Sequence, residues 1–533
     1  MKKIIFLACI FLMQLTACED KQFFELERPV ESPWKTLSEF ERAPIGAYAA
    51  IFARADWDGY FQYWHLFKNA VGDDVAWTTP GDNAWGWYRD TENNKDYPDG
   101  IFVATYKVIS SVNDALQFVD EKGGEPFLKM SADDKTNNLD RIVGELHFLR
   151  GYLYYMDATI FCNAYVPGGA NDAKQIPLRT IKASAYADAS APKIGTVQEI
   201  WDQIIADLEK AYDLLPARYI AGKMHPSYQA GRANKFAAAA MLSRSYFAMG
   251  NYEKAKEYAS FVIDQNGGDY DLSEEPIEAF NKSTLGRGRE TVMYIPSYDQ
   301  TYGKQNLHAT TYSHLFLDTP CDWSATYMDF ATLKRIGWMN DAVNDTTINS
   351  TARRDKRFQQ LFFVREPANV PEAERISGRY YETRTNLNWR TVVANKAYRG
   401  PKLGYTNVPQ IRLAEMYLTR SICSYKAGDK QSAANDLNII RKRAWDENVA
   451  GQAYEVSPNF VTASNITEQM IGDERLIELF CEGDRIDYLR GLKVDVAGDS
   501  DQAGDRGGTV PYTSNRFVWP VPVTEKKLNS GYN

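Results

Sequence analysis

The sequence has little of the residue types on which most metal centres and many active sites depend. Its 533 residues include only five histidines and six cysteines, and none of these forms a CxxC pair or another metal-ligand spacing. The G-x-S-x-G, phosphate-loop and H-E-x-x-H motifs are missing as well. The sequence therefore predicts no cofactor and no metal ion, and it gives no positive sign of an enzyme.

Excess positive charge and long apolar runs are also missing. The 61 basic residues are outnumbered by 70 acidic residues, which gives a formal net charge of -9. An acidic body argues against nucleic acid as a partner, because nucleic acid binds basic surfaces. Beyond residue 15, no stretch has the roughly 20 apolar residues that a membrane-spanning helix needs.

The first eighteen residues carry the pattern of an exported protein. Two lysines precede an apolar run, Ile4–Leu15, and two small residues then precede Cys18. The sequence Leu-Thr-Ala-Cys resembles the bacterial lipobox, in which the signal is cleaved ahead of the cysteine and the thiol is acylated. We therefore expect a signal peptide over residues 1–17 and a body, residues 18–533, that contacts the membrane only through lipid on Cys18. An ordinary secretory signal is the alternative.

Apolar residues spaced three or four apart predict a mostly α-helical protein. This spacing places apolar side chains on one buried stripe of a helix. It occurs in Thr36–Phe52, Ile101–Val119, Asn138–Phe161 and Val197–Leu215. Two later stretches, Arg232–Ile263 and Gln410–Trp445, have the pattern of helical hairpins with a glycine at the turn. These hairpins resemble tetratricopeptide repeats.

The chain shows no sequence sign of division into separate domains. No Gly/Ser linker or charged low-complexity run interrupts residues 30–490, so we expect one large body. Its helical scaffold is predicted mainly over residues 36–266 and 408–490. Residues 281–400 have weak periodicity and many Gly, Asn, Asp, Thr and Tyr residues, which predicts a loop-rich insertion with a short strand at 290–295.

Five segments in a fixed order resemble the SusD/RagB family of outer-membrane nutrient-binding lipoproteins. They are Gly144–Tyr152, Val408–Glu415, Leu437–Ala444, Asp473–Arg485 and Trp519–Pro522. The resemblance implies a SusD-like helical body with large irregular loops, held by lipid on the outer face of the outer membrane. It further implies a non-catalytic binding protein that partners a SusC-like TonB-dependent transporter. The ligand site would be shallow and built from loops of the early and middle regions.

Aromatic residues are concentrated between Trp57 and Tyr88, most densely within residues 82–90, where glycine and polar neighbours predict a loop. A flat indole ring covers the C–H face of a sugar, while Asp, Asn and Arg side chains bond its hydroxyl groups. This pattern predicts a glycan site. The predicted ligand residues are Asp82, Asn83, Trp85, Trp87, Tyr88 and Arg89, with Tyr298 and Trp323 added because the resemblance implies a contribution from the middle region.

Several alternatives to these predictions remain open. Peptide capture, which some RagB-like proteins perform, is the main alternative to glycan binding. Trp64, Phe67 and their neighbour Phe61 could instead lie on the buried face of a helix. A surface enzyme is less favoured: Glu474, Glu478 and Glu482 would share one helical face, and we interpret them as ion-pair partners rather than catalytic acids. The acidic pairs 73–74 and 82–83 have ligands suited to Ca²⁺, but such pairs in loops are usually solvated.

Overall fold

The computed structural model describes most of the chain in segments. These are residues 34–52, 64–65, 67–69, 71–77, 96–182, 191–229, 231–280, 288–295, 326–342, 345, 347–365, 390–394, 396, 407–497 and 508–532.

The first half of the described chain is mainly helical, as the apolar spacing predicts. Its helices are α1 (Leu37–Phe40), α2 (Arg42–Phe52), α3 (Asp96–Glu121), α4 (Ala132–Asp134), α5 (Arg141–Phe161), α6 (Val197–Leu214), α7 (Lys235–Ala248) and α8 (Tyr252–Asp264). Capping boxes start α1 at Thr36 and α6 at Thr196, where each threonine accepts a bond from the backbone of the third helical residue. A six-residue π-helix, Lys135–Asp140, leads directly into α5.

Helix α5 is buried on nearly all sides and is the centre of the helical body. Two glycines let α6 approach it closely. A Cβ added to Gly144 would lie 3.0 Å from Leu214 Cβ, and one added to Gly151 would lie 3.0 Å from Leu208 Cγ. The glycines of the segment Gly144–Tyr152 therefore have a packing role in this helix pair.

The second half contains the remaining helices. They are α9 (Phe330–Arg335), α10 (Lys356–Leu361), α11 (Leu413–Lys426), α12 (Lys430–Ala444), α13 (Glu447–Ala450), α14 (Glu468–Leu479), α15 (Arg485–Leu492) and α16 (Val523–Leu528). Among the described residues, no helix has the length and apolar character needed to cross a membrane.

The two predicted hairpins, α7–α8 and α11–α12, are confirmed and have matching details. Each turn has a glycine with positive φ, Gly250 at +79° and Gly428 at +83°, which a side chain would strain. In each hairpin a buried serine hydroxyl donates to a carbonyl of the second helix at 2.8 Å, from Ser243 and from Ser421. Each acceptor lies twelve residues after its serine. Helix α8 packs against α11, so the two hairpins stack although they are far apart in sequence.

Eight short strands form four antiparallel pairs within the described residues. They are β1 (Val75–Trp77), β2 (Lys174–Pro177), β3 (Ile194–Thr196), β4 (Thr291–Ile295), β5 (Thr326–Met328), β6 (Phe362–Arg365), β7 (Thr391–Ala394) and β8 (Val408–Arg412). The pairs are β1–β5, β2–β3, β4–β8 and β6–β7. Strand β4 confirms the strand predicted at 290–295. The predicted loop-rich insertion also contains β5, β6, β7, α9 and α10, which its weak periodicity did not indicate.

One extended hydrophobic cluster joins distant parts of the chain. It reaches from Phe40 through α5 to Trp519, where Phe67 and Trp519 pack with ring centroids 4.2 Å apart. Cys162, Cys423 and Cys481 are buried thiols in this region. Cys321 lies outside the described residues.

Candidate functional site

The residues predicted to bind ligand all lie outside the described residues. This applies to Asp82, Asn83, Trp85, Trp87, Tyr88, Arg89, Tyr298 and Trp323, and also to the predicted lipidation site Cys18. The described strands nevertheless fix the points at which the chain enters and leaves the aromatic segments. The geometry of these strands is therefore the structural basis of the candidate site.

Strands β1 and β5 border two of the predicted ligand segments. Trp77, the last residue of β1, is eight positions before Trp85, and Thr326, the first residue of β5, is three positions after Trp323. Trp77 and Thr326 are paired in the antiparallel register. Because the strands run in opposite directions, the chain leaves β1 and enters β5 at the same end of the pair.

Strands β4 and β8 are arranged in the same way. Ile295 ends β4 three positions before Tyr298, and its register partner is Val408, the first residue of β8. In the third pair, Arg365 at the end of β6 is opposite Thr391 at the start of β7. In each of these pairs, the chain therefore leaves the first strand and enters the second strand at the same end of the pair.

The β1–β5 pair packs against β7 through a small apolar cluster of Ala76, Tyr327 and Val393, with Phe330 at its edge. Tyr327 is 3% exposed and Trp338 is 4% exposed. Both lie close in sequence to Trp323, a predicted ligand residue. Their burial assigns them to the core, because aromatic content in a weakly periodic segment does not reveal which rings face inward.

Aromatic residues just before β1 also have a packing role. Trp64 is 5% exposed and donates from Nε1 to the Met156 carbonyl at 3.2 Å. Phe67 is fully buried. The alternative that these two residues lie on a buried helical face is confirmed, whereas Phe61 lies outside the described residues.

The segment that leads into β1 is tied to the turn between α14 and α15. Asn69 donates to the Cys481 carbonyl at 3.3 Å and accepts from the Gly483 amide at 2.8 Å. Arg485 donates twice to the Asp73 carboxylate, at 2.6 and 3.0 Å. Asp73 is therefore an ion-pair partner in this structure. Among the described residues no group of three or more His, Cys, Asp or Glu side chains is placed to hold a metal ion.

A buried lattice of ion pairs includes Glu474 and Glu478 of α14. Its members are five acids, Glu290, Asp355, Glu474, Glu478 and Glu482, and five bases, Arg357, Lys396, Arg412, Arg441 and Arg443. The equal numbers of the two charges make it close to neutral. Arg412 is central: it bonds Glu290, Glu478 and Glu482 at once. We call this set the ion-pair lattice.

The charge states within the lattice do not suit general acid catalysis. Burial alone would raise the pKa of Glu478, but the guanidinium groups of Arg443, Arg412 and Arg357 outweigh it and hold that pKa well below its usual range. Arg412 and Lys396 likewise lower the pKa of Glu482 against the effect of burial. A general acid needs a raised pKa to hold its proton at neutral pH. The interpretation of these carboxylates as ion-pair partners is confirmed.

One detail of that interpretation was wrong. The i, i+4, i+8 spacing predicted one continuous helix through Glu474, Glu478 and Glu482. Helix α14 ends at Leu479, and Cys481 and Gly483 then adopt positive φ values of 62° and 77°. Glu482 reaches the lattice from this turn instead of from the helix.

The described residues border a small cavity and a larger groove. A cavity of about 40 Å³ is bordered by His65, Arg244 and Glu415; this volume holds water molecules and is too small for a sugar ring. A groove of about 770 Å³ lies between the two hairpin turns, bordered by Tyr165 and Tyr252. The sequence did not predict a site at these tyrosines. The sequence feature that marked this region was the pair of turn glycines, Gly250 and Gly428.

Two family models match the chain and together cover most of it. One, described as "Starch-binding associating with outer membrane", matches residues 51–247, and the other, described as "SusD family", matches residues 266–493. The chain belongs to the SusD/RagB family. The resemblance drawn from the five sequence segments is confirmed.

A curated SusD-like relative and solved SusD-like structures agree with this. SusD-like protein P2 of Formosa agariphila is 25% identical over 288 residues, which are 52% of this chain and 49% of that protein. The match thus spans about half the length of this relative. A SusD superfamily protein from Bacteroides thetaiotaomicron has a TM-score of 0.70 at 20% identity, over 93% of this chain and 98% of its own. A SusD-like carbohydrate binding protein from Bacteroides vulgatus has a TM-score of 0.66 at 17% identity, over 93% and 97%.

At these identities the solved structures show the fold, and the predicted mostly α-helical SusD-like fold is confirmed. The family segments also have defined places in it. Gly144–Tyr152 lies in α5 against α6, and Val408–Glu415 forms β8 and the start of α11. Asp473–Arg485 supplies both the ion-pair lattice and the turn that holds the segment before β1. In this SusD/RagB protein, these three family segments therefore lie where elements that are far apart in the sequence contact each other.

Proposed function

We propose that this SusD/RagB protein is a non-catalytic surface protein that binds oligo- or polysaccharide. The observation that carries the proposal is the aromatic and polar cluster at residues 82–90, in a chain whose neighbouring strand β1 is paired with β5. The membership of the SusD/RagB family supports it. So does the similarity in fold to a protein described as a SusD-like carbohydrate binding protein.

In this proposal Trp85 and Trp87 stack on sugar rings, and Asp82, Asn83 and Arg89 bond the hydroxyl groups. Tyr88, Tyr298 and Trp323 complete the site. Covering about 80 Å² of apolar surface on one ring contributes roughly 2 kcal/mol before ordering costs. Two or three such contacts give a weak and reversible complex, which suits capture followed by transfer.

We further propose that the protein passes its ligand to a SusC-like TonB-dependent transporter in the outer membrane. Lipid on Cys18 would hold the body at the outer face of the membrane. A tether of this kind keeps the binding protein at high local concentration over its partner. The transfer step then needs no covalent chemistry from this chain.

The binding site is tested by calorimetry of the mature protein against soluble starch, xylan, mannan, laminarin and pectin, with a peptide pool as a separate arm. We expect heat with at least one polysaccharide. The double variant W85A/W87A should bind that polysaccharide at least tenfold more weakly, since each ring contributes on the order of 1–2 kcal/mol.

The matched control is Tyr512→Ala, which removes a partly exposed aromatic ring elsewhere in the chain and should leave the affinity unchanged. Equal binding by W85A/W87A and wild type would remove residues 82–90 from the site. Heat with the peptide pool and with none of the polysaccharides would replace the glycan proposal by peptide capture.

A further inference from the structure

Residues 480–487, which are the turn between α14 and α15 together with the first residues of α15, contact two groups of strands. Cys481 and Gly483 both have positive φ, which makes the turn tight. A Cβ at Gly483 would lie 3.2 Å from His65 Nδ1 and 3.5 Å from Lys68 Cβ. The glycine therefore allows the segment before β1 to pack directly on the turn. We call residues 480–487 the junction turn.

A first group of contacts joins the junction turn to the residue two positions after β7 and to the end of β8. Lys396, two positions after β7, donates to Glu482 at 2.8 Å and to the Glu478 carbonyl at 2.7 Å. Arg412, the last residue of β8, donates to both carboxylate oxygens of Glu482 at 2.8 and 2.9 Å. Arg412 also bonds Glu290, the residue before β4. Three strands are thus linked to Glu482 directly or through one guanidinium group.

A second group of contacts joins the junction turn to the segment before β1. Asn69 bonds the backbone at both Cys481 and Gly483, and Asp73 pairs with Arg485. Lys68, whose side chain is fully buried, pairs with Asp487. These bonds fix Lys68, Asn69 and Asp73 just before β1, which begins at Val75.

These contacts act over short distances, and their strength depends on the distance and angle between donor and acceptor. Each is a charge-assisted or backbone hydrogen bond in a low-dielectric interior, where a displaced partner leaves a buried charge uncompensated. The junction turn therefore resists a shift of either strand group relative to the other. Hydrophobic contact alone would tolerate small displacements, because it has no preferred direction.

We propose that the junction turn is a positioning element that sets the place of β1 relative to β4, β7 and β8, and through it the affinity of the ligand site. The effect on affinity rests on the proposed function, because these strands border the segments assigned to ligand binding. The effect on strand position does not depend on the proposed function. Lys396 and Asn69 are then positioning residues that act through the junction turn without touching ligand.

The first test replaces one residue from each group of contacts, K396M and N69A, in the full mature chain. Hydrogen–deuterium exchange is followed in peptides covering residues 71–77 and 290–295. K396M should raise the exchange rate of 71–77 at least threefold although Lys396 does not bond that segment. N69A should do the same for 290–295, which is linked to Glu482 through Glu290 and Arg412. The exchange of α7 and α8 should not change in either variant.

R335M is the matched control, because Arg335 pairs with Asp473 on α14 at 2.8 Å near the surface and away from the junction turn. It should leave the exchange of both strand segments at the wild-type rate. Exchange that rises only next to each substitution would overturn the proposal. If K396M does not fold, N69A still decides the question through residues 290–295, whereas residues 407–412 would not, because Gln410 also bonds His65 directly.

The second test measures affinity for whichever panel polysaccharide the wild-type protein binds. K396M and N69A should each weaken binding at least fivefold, and the double variant should lose less than the product of the two factors because both act through one turn. Wild-type affinity in both variants would refute the link to the site. Absence of wild-type binding to any polysaccharide would count against the proposed function, and the exchange experiment would then still confirm or refute the positioning role.

Discussion

A single buried carboxyl group sets part of the pH dependence of this fold. Asp157 lies in α5 with none of its surface exposed. Burial, countered in part by the Thr105 hydroxyl, raises its pKa well above the usual range. The folded protein therefore binds this proton more tightly than the unfolded chain, in which an aspartate has a pKa of about 3.9.

The sign of the effect follows from proton linkage. The stabilisation is fully present below the unfolded-state pKa and is lost as the pH rises towards the folded-state pKa, at about 1.4 kcal/mol per pH unit. We expect Asp157→Asn to have little effect on the free energy of unfolding near pH 4 and to increase it progressively towards pH 8. Urea denaturation of both proteins across this range measures the difference. A difference that is independent of pH would contradict the assignment.

Two helical glycines, Gly46 and Gly151, differ in how closely neighbouring residues pack against them. A Cβ at Gly46 in α2 would meet nothing within 4 Å, whereas a Cβ at Gly151 in α5 would lie 3.0 to 3.2 Å from Asp207 and Leu208. Asp207 cannot move aside easily, because Arg150 bonds both of its carboxylate oxygens.

The two glycines should therefore respond to alanine in opposite directions. Gly46→Ala should stabilise the protein by about 0.5–1 kcal/mol, because alanine loses less backbone entropy in a helix. Gly151→Ala should destabilise it by about 1–3 kcal/mol through overpacking of α5 against α6. Thermal and urea denaturation measure both. Stabilisation by Gly151→Ala would show that the helix pair has room to relax.

The stacked hairpins show which features the sequence pattern of single helices predicts and which it does not. The helical period and the turn glycines predict α7–α8 and α11–α12, including their antiparallel arrangement. They do not predict that α8 packs on α11, because residues 265–412 lie between these helices. That contact depends on the chain returning through β4 and β8, whose pairing places Arg412 at the start of α11.

At the scale of the whole molecule, the N-terminal sequence predicts where the protein resides. Cys18→Ala should release the protein from membranes, because acylation of that thiol is the proposed anchor. Cell fractionation followed by detection of the protein measures this. Cys9→Ala removes another cysteine of the signal region and should leave the protein on the membrane. Membrane retention of the Cys18→Ala variant would reject the lipid anchor.

The sequence by itself determined the helical class and the hairpins, and its five ordered segments gave the resemblance to the family; it left the inward position of Trp64 and Phe67 as an open alternative. The helical class and the hairpins follow from short-range spacing, because apolar side chains three or four positions apart must share a face in any helix. Short strands such as β5 and β7 escaped prediction. Three or four residues are too few to show a period, and their conformation depends on partners far along the chain.

Only the tertiary structure decided what the charged residues of Asp473–Arg485 do. Their spacing is compatible with catalysis as well as with the favoured ion pairing, since the outcome depends on which charges arrive from elsewhere. Arg357, Lys396 and Arg412 come from three separate segments and neutralise Glu478 and Glu482. A charge is tolerated in a protein interior only when its partner is there too, and the position of that partner is a property of the fold rather than of the local sequence.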